Sequence, residues 1–203
     1  MLRSFHYHAE KGIQTDLPLE SFPELIKDNQ NIIWVDMVEP TQKEIKTVLA
    51  ETFQFHPLAI EDCQTPAERP KAESYGSYLF VILPAEGLRF VDDEPDVTEI
   101  ACFLGDNFLV TYHRRKLACF DVMAQRCQAN PHHQMARGPA FIMHGIIDTL
   151  VDSYFPHIAK VDNELDDLEQ EIFQRPSEEI LNKLLDARWR IQTLRRVLSP
   201  QRD

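Results

Sequence analysis

Apolar residues alternate or cluster over residues 2–8 and again over Ile32-Ile33-Trp34-Val35-Asp36-Met37, and each stretch predicts a β-strand. Thr41 and Glu44 then supply a capping box after Pro40. Ile45, Val48, Leu49 and Phe53 follow with the three-and-four spacing of an amphipathic helix. His56-Pro57 breaks it, and residues 58–63 predict one short helical segment with Pro57 in its first turn. Residues 78–83 are aromatic, β-branched and apolar, which predicts a strand. Residues 84–95 read as a turn-rich connection exposing Asp92, Asp93 and Glu94. Residues 98–104 and 108–113 predict a hairpin around Gly105-Asp106-Asn107, residue types that tolerate positive φ. A helix is predicted over residues 117–127. It ends near Asn130-Pro131, where proline has no N–H for the helix.

The period changes after Gly138-Pro139. Tyr154, Ile158, Val161, Leu165, Leu168 and Ile172 are spaced by alternating fours and threes, a heptad stripe. Gln174 to Ser177 interrupts it. Ile180, Leu184, Ala187, Ile191, Leu194 and Leu198 repeat the spacing. Two such stripes joined by a short turn bury each other, which predicts an antiparallel helix pair. The predicted class is therefore α/β: an α/β/α sandwich with a mixed β-sheet over residues 1–135, then a long antiparallel helical hairpin over 136–203.

Charge sharpens this picture. An unbroken helical run is predicted between Asp148 and Glu179, with ten Asp/Glu against Lys160 and Arg175. From Lys183 to Arg202 six basic residues face only Asp186 and Asp203. An acidic first arm and a basic second arm select the hairpin's orientation, while exposed pairs add only about 0.2–1 kcal/mol each. The net charge of −12 over 203 residues argues against a nucleic-acid binder, because phosphate demands a positive surface. His113-Arg114-Arg115-Lys116 is the best candidate for a local basic patch, and it is short.

Cys63, Cys102, Cys119 and Cys127 have no zinc-knuckle spacing, and nothing in the pattern requires a disulfide. A reducing, cytoplasmic setting follows. Apolar stretches are strand-sized or broken by charge, below the ~20 residues that span a bilayer. The chain stops just after a strongly periodic helix, so a fragment of a longer protein is expected.

Candidate chemistry is confined to carboxylates and histidines. His56 with Glu61-Asp62 invites a metal reading, but a spacing of five across Pro57 suits a structural role better. His132-His133 with Cys127 lack further ligands for zinc, which takes three or four from protein. Asp148 and Asp152, like Asp162 and Asp166, are four apart and share a helical face. Together with Glu169 they raise the local cation concentration, and Mg²⁺ prefers such oxygen ligands while keeping several waters. The bland alternative is a solvated acidic face. Asp92, Asp93, Glu94 and Asp96 form a second cluster without the glycine and glutamate of a calcium loop. No dinucleotide loop, phosphate loop, His-Glu-x-x-His or serine elbow appears, and a non-enzymatic role is expected.

Six segments in order resemble the cytoplasmic region of the CorA family of magnesium/cobalt transporters: Ile33-Trp34-Val35-Asp36; His56-Pro57-Leu58-Ala59-Ile60-Glu61-Asp62; Arg69-Pro70-Lys71 with Glu73-Ser74-Tyr75; Asn107-Phe108-Leu109-Val110-Thr111; Asp148-Thr149-Leu150-Val151-Asp152-Ser153-Tyr154-Phe155; and Arg195-Arg196-Val197-Leu198-Ser199-Pro200-Gln201-Arg202-Asp203. The resemblance implies a homopentameric transporter of the inner membrane. It implies that this chain is the cytoplasmic funnel domain, lacking the stalk proper, both membrane helices and the Gly-Met-Asn motif, and so unable to carry ions alone. Mg²⁺ is implied as regulatory ligand and cargo, with Co²⁺ as a further cargo, and bound Mg²⁺ at subunit boundaries favours the closed pore. An ungapped match puts Arg89 at one sensing position, beside Asp92 and Asp93. The candidate metal residues are accordingly Asp92 and Asp93 first, then Asp148, Asp152 and Asp162. The isolated fragment is expected to be monomeric or weakly associated. Two other readings stay open: a related zinc or other divalent-metal transporter, and a soluble metal-dependent hydrolase using Asp92, Asp93 and His56.

Overall fold

The computed structural model describes residues 1–65, 70–91, 94–174 and 177–199. Strand β1 (Leu2–His8) turns back into β2 (Gly12–Thr15) through Gly12 at φ +73. Helix α1 (Phe22–Lys27) leads into β3 (Asn31–Val38). The Thr41/Glu44 capping box forms as predicted and starts α2 (Gln42–Ile45). Its carboxylate accepts the Thr41 backbone N–H, which holds Glu44 below its ordinary pKa.

Beyond Ile45 the amphipathic segment differs from the expected α-helix. Residues Lys46–Thr52 wind in wider π turns. The Phe53 N–H donates to the carbonyl of Val48, five residues back, and the Thr52 hydroxyl donates to Thr47 over the same span. Helix α3 (Pro57–Gln64) has Pro57 in its first turn, as read from the sequence. Strands β4 (Lys71–Ser74), β5 (Tyr78–Val91), β6 (Glu94–Gly105) and β7 (Phe108–His113) follow, then helices α4 (Ala118–Ala129), α5 (Pro131–Gln134), α6 (Pro139–Asp152), α7 (Phe155–Gln174) and α8 (Glu178–Leu198).

The strands form one mixed sheet in the order β2-β1-β3-β7-β6-β5-β4. Only β3 and β7 are described as a parallel pair, with Val35 opposite Val110. One face of the sheet presents Ile33, Val35, Met37, Phe80, Ile82, Phe103 and Val110 to Phe22, Val48, Leu49 and Ala59 from the helices between β2 and β4. The other face carries Trp34, stacked on Phe5 with centroids 4.7 Å apart. It is covered by α4, whose Phe120 stacks on His113 at 4.0 Å. Helix α6 lies over α4 so closely that a Cβ at Gly145 would sit 2.9 Å from the Met123 sulfur. These layers are the predicted α/β/α sandwich, and a long antiparallel helix pair follows it.

Two sequence expectations are corrected here. Residues 84–95 are not a turn-rich connection: β5 runs on to Val91 and β6 begins at Glu94. Pro84 opens the segment read as a turn, but it lies within β5, beyond Ile82, the last β5 residue described in register with β4. Asp92 and Asp93 lie outside the described residues. The expected unbroken helical run from Asp148 is divided at Ser153-Tyr154. Pro156, in the first turn of α7, has no N–H to continue the bonding of α6.

The β6–β7 hairpin forms where predicted, with Leu104 opposite Leu109, but not for the predicted reason. No residue of Gly105-Asp106-Asn107 has positive φ. Asn107 is buried and its amide donates to the carbonyls of Ile26 and Asp28, closing the end of α1. Gly105 is needed for space, because an added Cβ would lie 2.3 Å from the Phe108 ring. That ring is wedged against Phe53 and Phe55. Gly105→Ala is therefore expected to cost about 1–3 kcal/mol in urea unfolding, and an unchanged midpoint would show that the ring yields freely.

By internal contacts the chain divides into one unit of Met1–Gly87 with Val97–Leu150 and a second of Leu88–Asp96 with Val151–Asp203.

Candidate cation-responsive surface

Helix α7 carries Asp162, Glu164, Asp166, Asp167, Glu169 and Glu171 against the single Lys160. Its partner α8 starts cleanly at Ser177, whose hydroxyl accepts the Ile180 N–H at 3.3 Å. The two helices bury Leu168, Ile180 and Ala187 against one another, with Leu165 alongside. Arg190 meets Glu164 at 2.7 Å and Lys183 meets Glu171 at 3.2 Å, so acidic and basic arms pair as their sequences predict. These ion pairs are half exposed and worth about 0.2–1 kcal/mol each. Leu168→Ala is expected to cost about 2–5 kcal/mol and Arg190→Ala less than about 1 kcal/mol. Thermal unfolding of both variants checks this, and the opposite ranking would make charge, not the apolar stripe, the hairpin's glue.

Pairing with α8 leaves most of the α7 acids at the surface. Asp162, Asp166, Asp167 and Glu169 are exposed. A cleft of about 290 Å³ between the two helices is lined by Glu164, Asp167 and Glu171 from one arm and Lys183, Asp186 and Arg190 from the other. Four carboxylates there outnumber two cations. On α6, Asp148 and the terminal Asp152 are exposed one turn apart. Among the described residues no three His, Cys, Asp or Glu side chains gather as a ready metal site. Such an arrangement attracts hydrated cations but does not strip them of water.

The histidine candidates have local partners. His56 caps α3: its Nδ1 accepts the Leu58 N–H at 3.2 Å. Asp62 binds Lys71, and this hydrogen bond is the main cause holding the Lys71 ammonium above its ordinary pKa. Arg69 of the third motif segment lies outside the described residues. Tyr75 stacks on Tyr78 at 5.2 Å, and the Tyr78 hydroxyl accepts the His56 backbone N–H at 2.9 Å. The second and third motif segments thus meet as one packed cluster. His132 and His133 are exposed on α5, whereas Cys127 is buried, so the three do not present a common face to solvent.

A buried polar network escaped the sequence reading. Asp36 and His113 are both fully buried. Asp36 accepts from Arg3 Nε at 3.0 Å, the Thr111 hydroxyl at 2.8 Å and His113 Nε2 at 3.0 Å. The Trp34 indole N–H donates to Thr111 at 3.1 Å. Register explains the meeting: Arg3, Asp36, Thr111 and Cys102 lie opposite one another across four strands. Arg3 also reaches Asp121 on α4 at 2.6 Å. Burial works against both charges, but the mutual hydrogen bonds win, raising the pKa of Arg3 and lowering that of Asp121 with help from Lys116. The available signal was an Asp and a His of opposite charge tendency at inward positions of two apolar strands.

Among the described residues no helix is long and apolar enough to cross a membrane. A family model described as CorA-like Mg2+ transporter protein matches residues 29–203. The chain is 34% identical over 170 residues to the putative metal ion transporter YfjQ of Bacillus subtilis, covering 84% of this chain and 51% of that one. It is 25% identical over 177 residues to the cobalt/magnesium transport protein CorA of Thermotoga maritima, covering 87% and 50%. The chain thus spans about half the length of these relatives. Its fold superposes on the soluble domain of CorA from Methanocaldococcus jannaschii with a TM-score of 0.71 at 18% identity, covering 100% of this chain and 76% of that one. The ZntB cytoplasmic domain from Vibrio parahaemolyticus gives a TM-score of 0.70 at 13% identity, covering 97% and 75%.

Proposed function

Because the chain belongs to the CorA-like Mg²⁺ transporter protein family, we propose that it is the non-enzymatic, cation-sensing domain of a magnesium or cobalt transporter. The observation that carries this reading is the exposed acid surplus of α7: Asp162, Asp166, Asp167 and Glu169 stand at its surface, while Glu164 and Glu171 pair with α8. In the longer protein this domain stands on the cytoplasmic side of the inner membrane. Five copies assemble around one pore, and the membrane helices belong to the C-terminal half of the parent. Asp92 and Asp93, then Asp148, Asp152 and Asp162, hold Mg²⁺ directly or through its waters at subunit boundaries.

The physics is a linkage. Carboxylates brought together at a boundary repel, and a divalent ion offsets that repulsion. Binding shifts the pore towards closure only by as much as Mg²⁺ prefers the closed over the open arrangement. A tenfold preference per ion is worth about 1.4 kcal/mol, so several weak sites act as a graded brake. Uptake of Mg²⁺, Co²⁺ and Zn²⁺ by vesicles holding the complete transporter tests the reading. Transport of Mg²⁺ or Co²⁺ supports it. Metal-dependent phosphoester turnover by the purified chain, with no transport by the parent, would replace it with the hydrolase reading.

A further inference from the structure

Just after the π turns of Lys46–Thr52, Gln54 adopts φ +53, in the left-handed region. Residues other than glycine take up such a backbone at a cost in strain, and strain of this kind gathers at ligand sites. The Phe55 N–H holds it in place by donating to the Leu49 carbonyl at 2.9 Å. Between this segment and α3 lies a cleft of about 570 Å³, a size that takes a small organic ligand. Its apolar lining is Ala50, Phe55, Pro57 and Ile60, of which Phe55 is buried. Its polar lining is Gln54, Glu61, Gln64 and Thr65. Among the described residues that line it, Glu61 is the only ionisable one.

The hydrogen-bond inventory decides what chemistry the cleft accepts. Gln64 Nε2 donates to the Ile60 carbonyl at 3.0 Å, and the Thr65 hydroxyl donates to the Glu61 carbonyl at 2.9 Å. Those donors are committed to the backbone of α3. What Gln64 and Thr65 keep for a ligand is chiefly acceptor: the amide Oε1 and the lone pairs of the hydroxyl. Glu61 adds a carboxylate. Gln64 is also the last residue of α3 and Thr65 its C-cap, at the end of a helix where unpaired carbonyls favour positive charge. Three features of separate origin thus ask for the same thing, a donor-rich cation.

We propose that the cleft between the π segment and α3 binds a small organic cation with an apolar body, of the arylalkyl-ammonium or guanidinium class. Its N–H groups donate to Glu61, Gln64 and Thr65, and its body lies against Phe55 and Ile60. An anion of the same shape meets a carboxylate, lone pairs and the negative end of a helix, and is refused. Hydrated Mg²⁺ also offers only donors, but it has no apolar body to set on Phe55 and Ile60. The site lies wholly within the first unit and does not rest on the transporter reading.

The test titrates 2-phenylethylammonium chloride into the ¹⁵N-labelled 203-residue chain at constant ionic strength and follows the backbone amides. The expected result is saturable shifts confined to the π segment, Gln54, Phe55 and α3. For a ligand of about ten non-hydrogen atoms, half-saturation on the order of 1 mM is expected. Glu61→Gln, at an exposed position that leaves the core untouched, is expected to weaken binding about tenfold through loss of the charged acceptor. Phenylacetate and MgCl₂ at matched concentrations are expected to leave these amides unmoved. Shifts that never saturate, equal affinity in Glu61→Gln, or equal binding of phenylacetate would overturn the proposal. The same shifts from Mg²⁺ alone would overturn it too, because the apolar half of the cleft would then have no part in recognition.

Discussion

Replacing Asp36 with alanine is expected to destabilise the first unit by about 3–5 kcal/mol, enough to unfold many single domains. Asp36 is 0% exposed, and its side chain is the common acceptor for Arg3, Thr111 and His113. Removing it leaves Arg3 with Asp121 but without its strand partner, and takes from the buried His113 the group facing Nε2. The cost is that of stranding buried donors rather than of one lost contact. It falls on the centre of the sheet, because Asp36 belongs to β3, which pairs with both β1 and β7. Urea unfolding followed by far-UV circular dichroism measures it. A loss below about 1 kcal/mol would mean that water enters to replace the carboxylate.

Alkali is expected to unfold the same unit progressively between pH 9 and about pH 12. Cys63, Cys102, Cys119 and Cys127 are all buried, and burial pushes each thiol from an ordinary 9.0 up to about 12. Below pH 9 the thiols are neutral in both states and their burial is undisturbed. Above it the unfolded chain ionises while the folded chain cannot, so stability is lost as pH rises through the native values. A gap of this size corresponds to about 4 kcal/mol for one thiol at the top of the window. Burial also raises the Tyr112 phenol, which acts in the same direction. Urea midpoints measured at rising pH, with Cys102→Ala alongside, check the account. The variant is expected to lose stability less steeply, and a native midpoint unchanged to about pH 11 would contradict it.

Much of the fold was legible because periodicity and capping act locally. The Thr41/Glu44 box, Pro57 at the head of α3, and the strands around Trp34 and Val110 follow from residue types at fixed spacing. The helical hairpin was legible from its heptads, and its antiparallel sense from the charges now seen as Arg190–Glu164 and Lys183–Glu171. What escaped depends on neighbours remote in the chain. Pro84 reads as a turn until β5 is seen to run through it to Val91. Asn107 reads as a turn residue until its amide is seen closing α1, 79 and 81 positions away. His113 was read as part of a basic patch and Asp36 as one residue of a strand, since their meeting is a matter of register. The acidic candidates Asp148, Asp152 and Asp162 were legible as exposed carboxylates. Their proposed ligand role depends on neighbouring copies, which no single chain specifies.

The central proposal is tested most directly by titrating Mg²⁺ against ion flux through the complete transporter. The comparison is native protein against Asp92→Asn/Asp93→Asn and against Asp148→Asn/Asp152→Asn/Asp162→Asn. Neutralising the sensing carboxylates removes the differential affinity for the closed state but spares the pore. The account predicts retained flux with Mg²⁺ inhibition shifted to about tenfold or higher concentration, the larger shift in the Asp92/Asp93 variant. Inhibition curves that superimpose on native for both variants would contradict it.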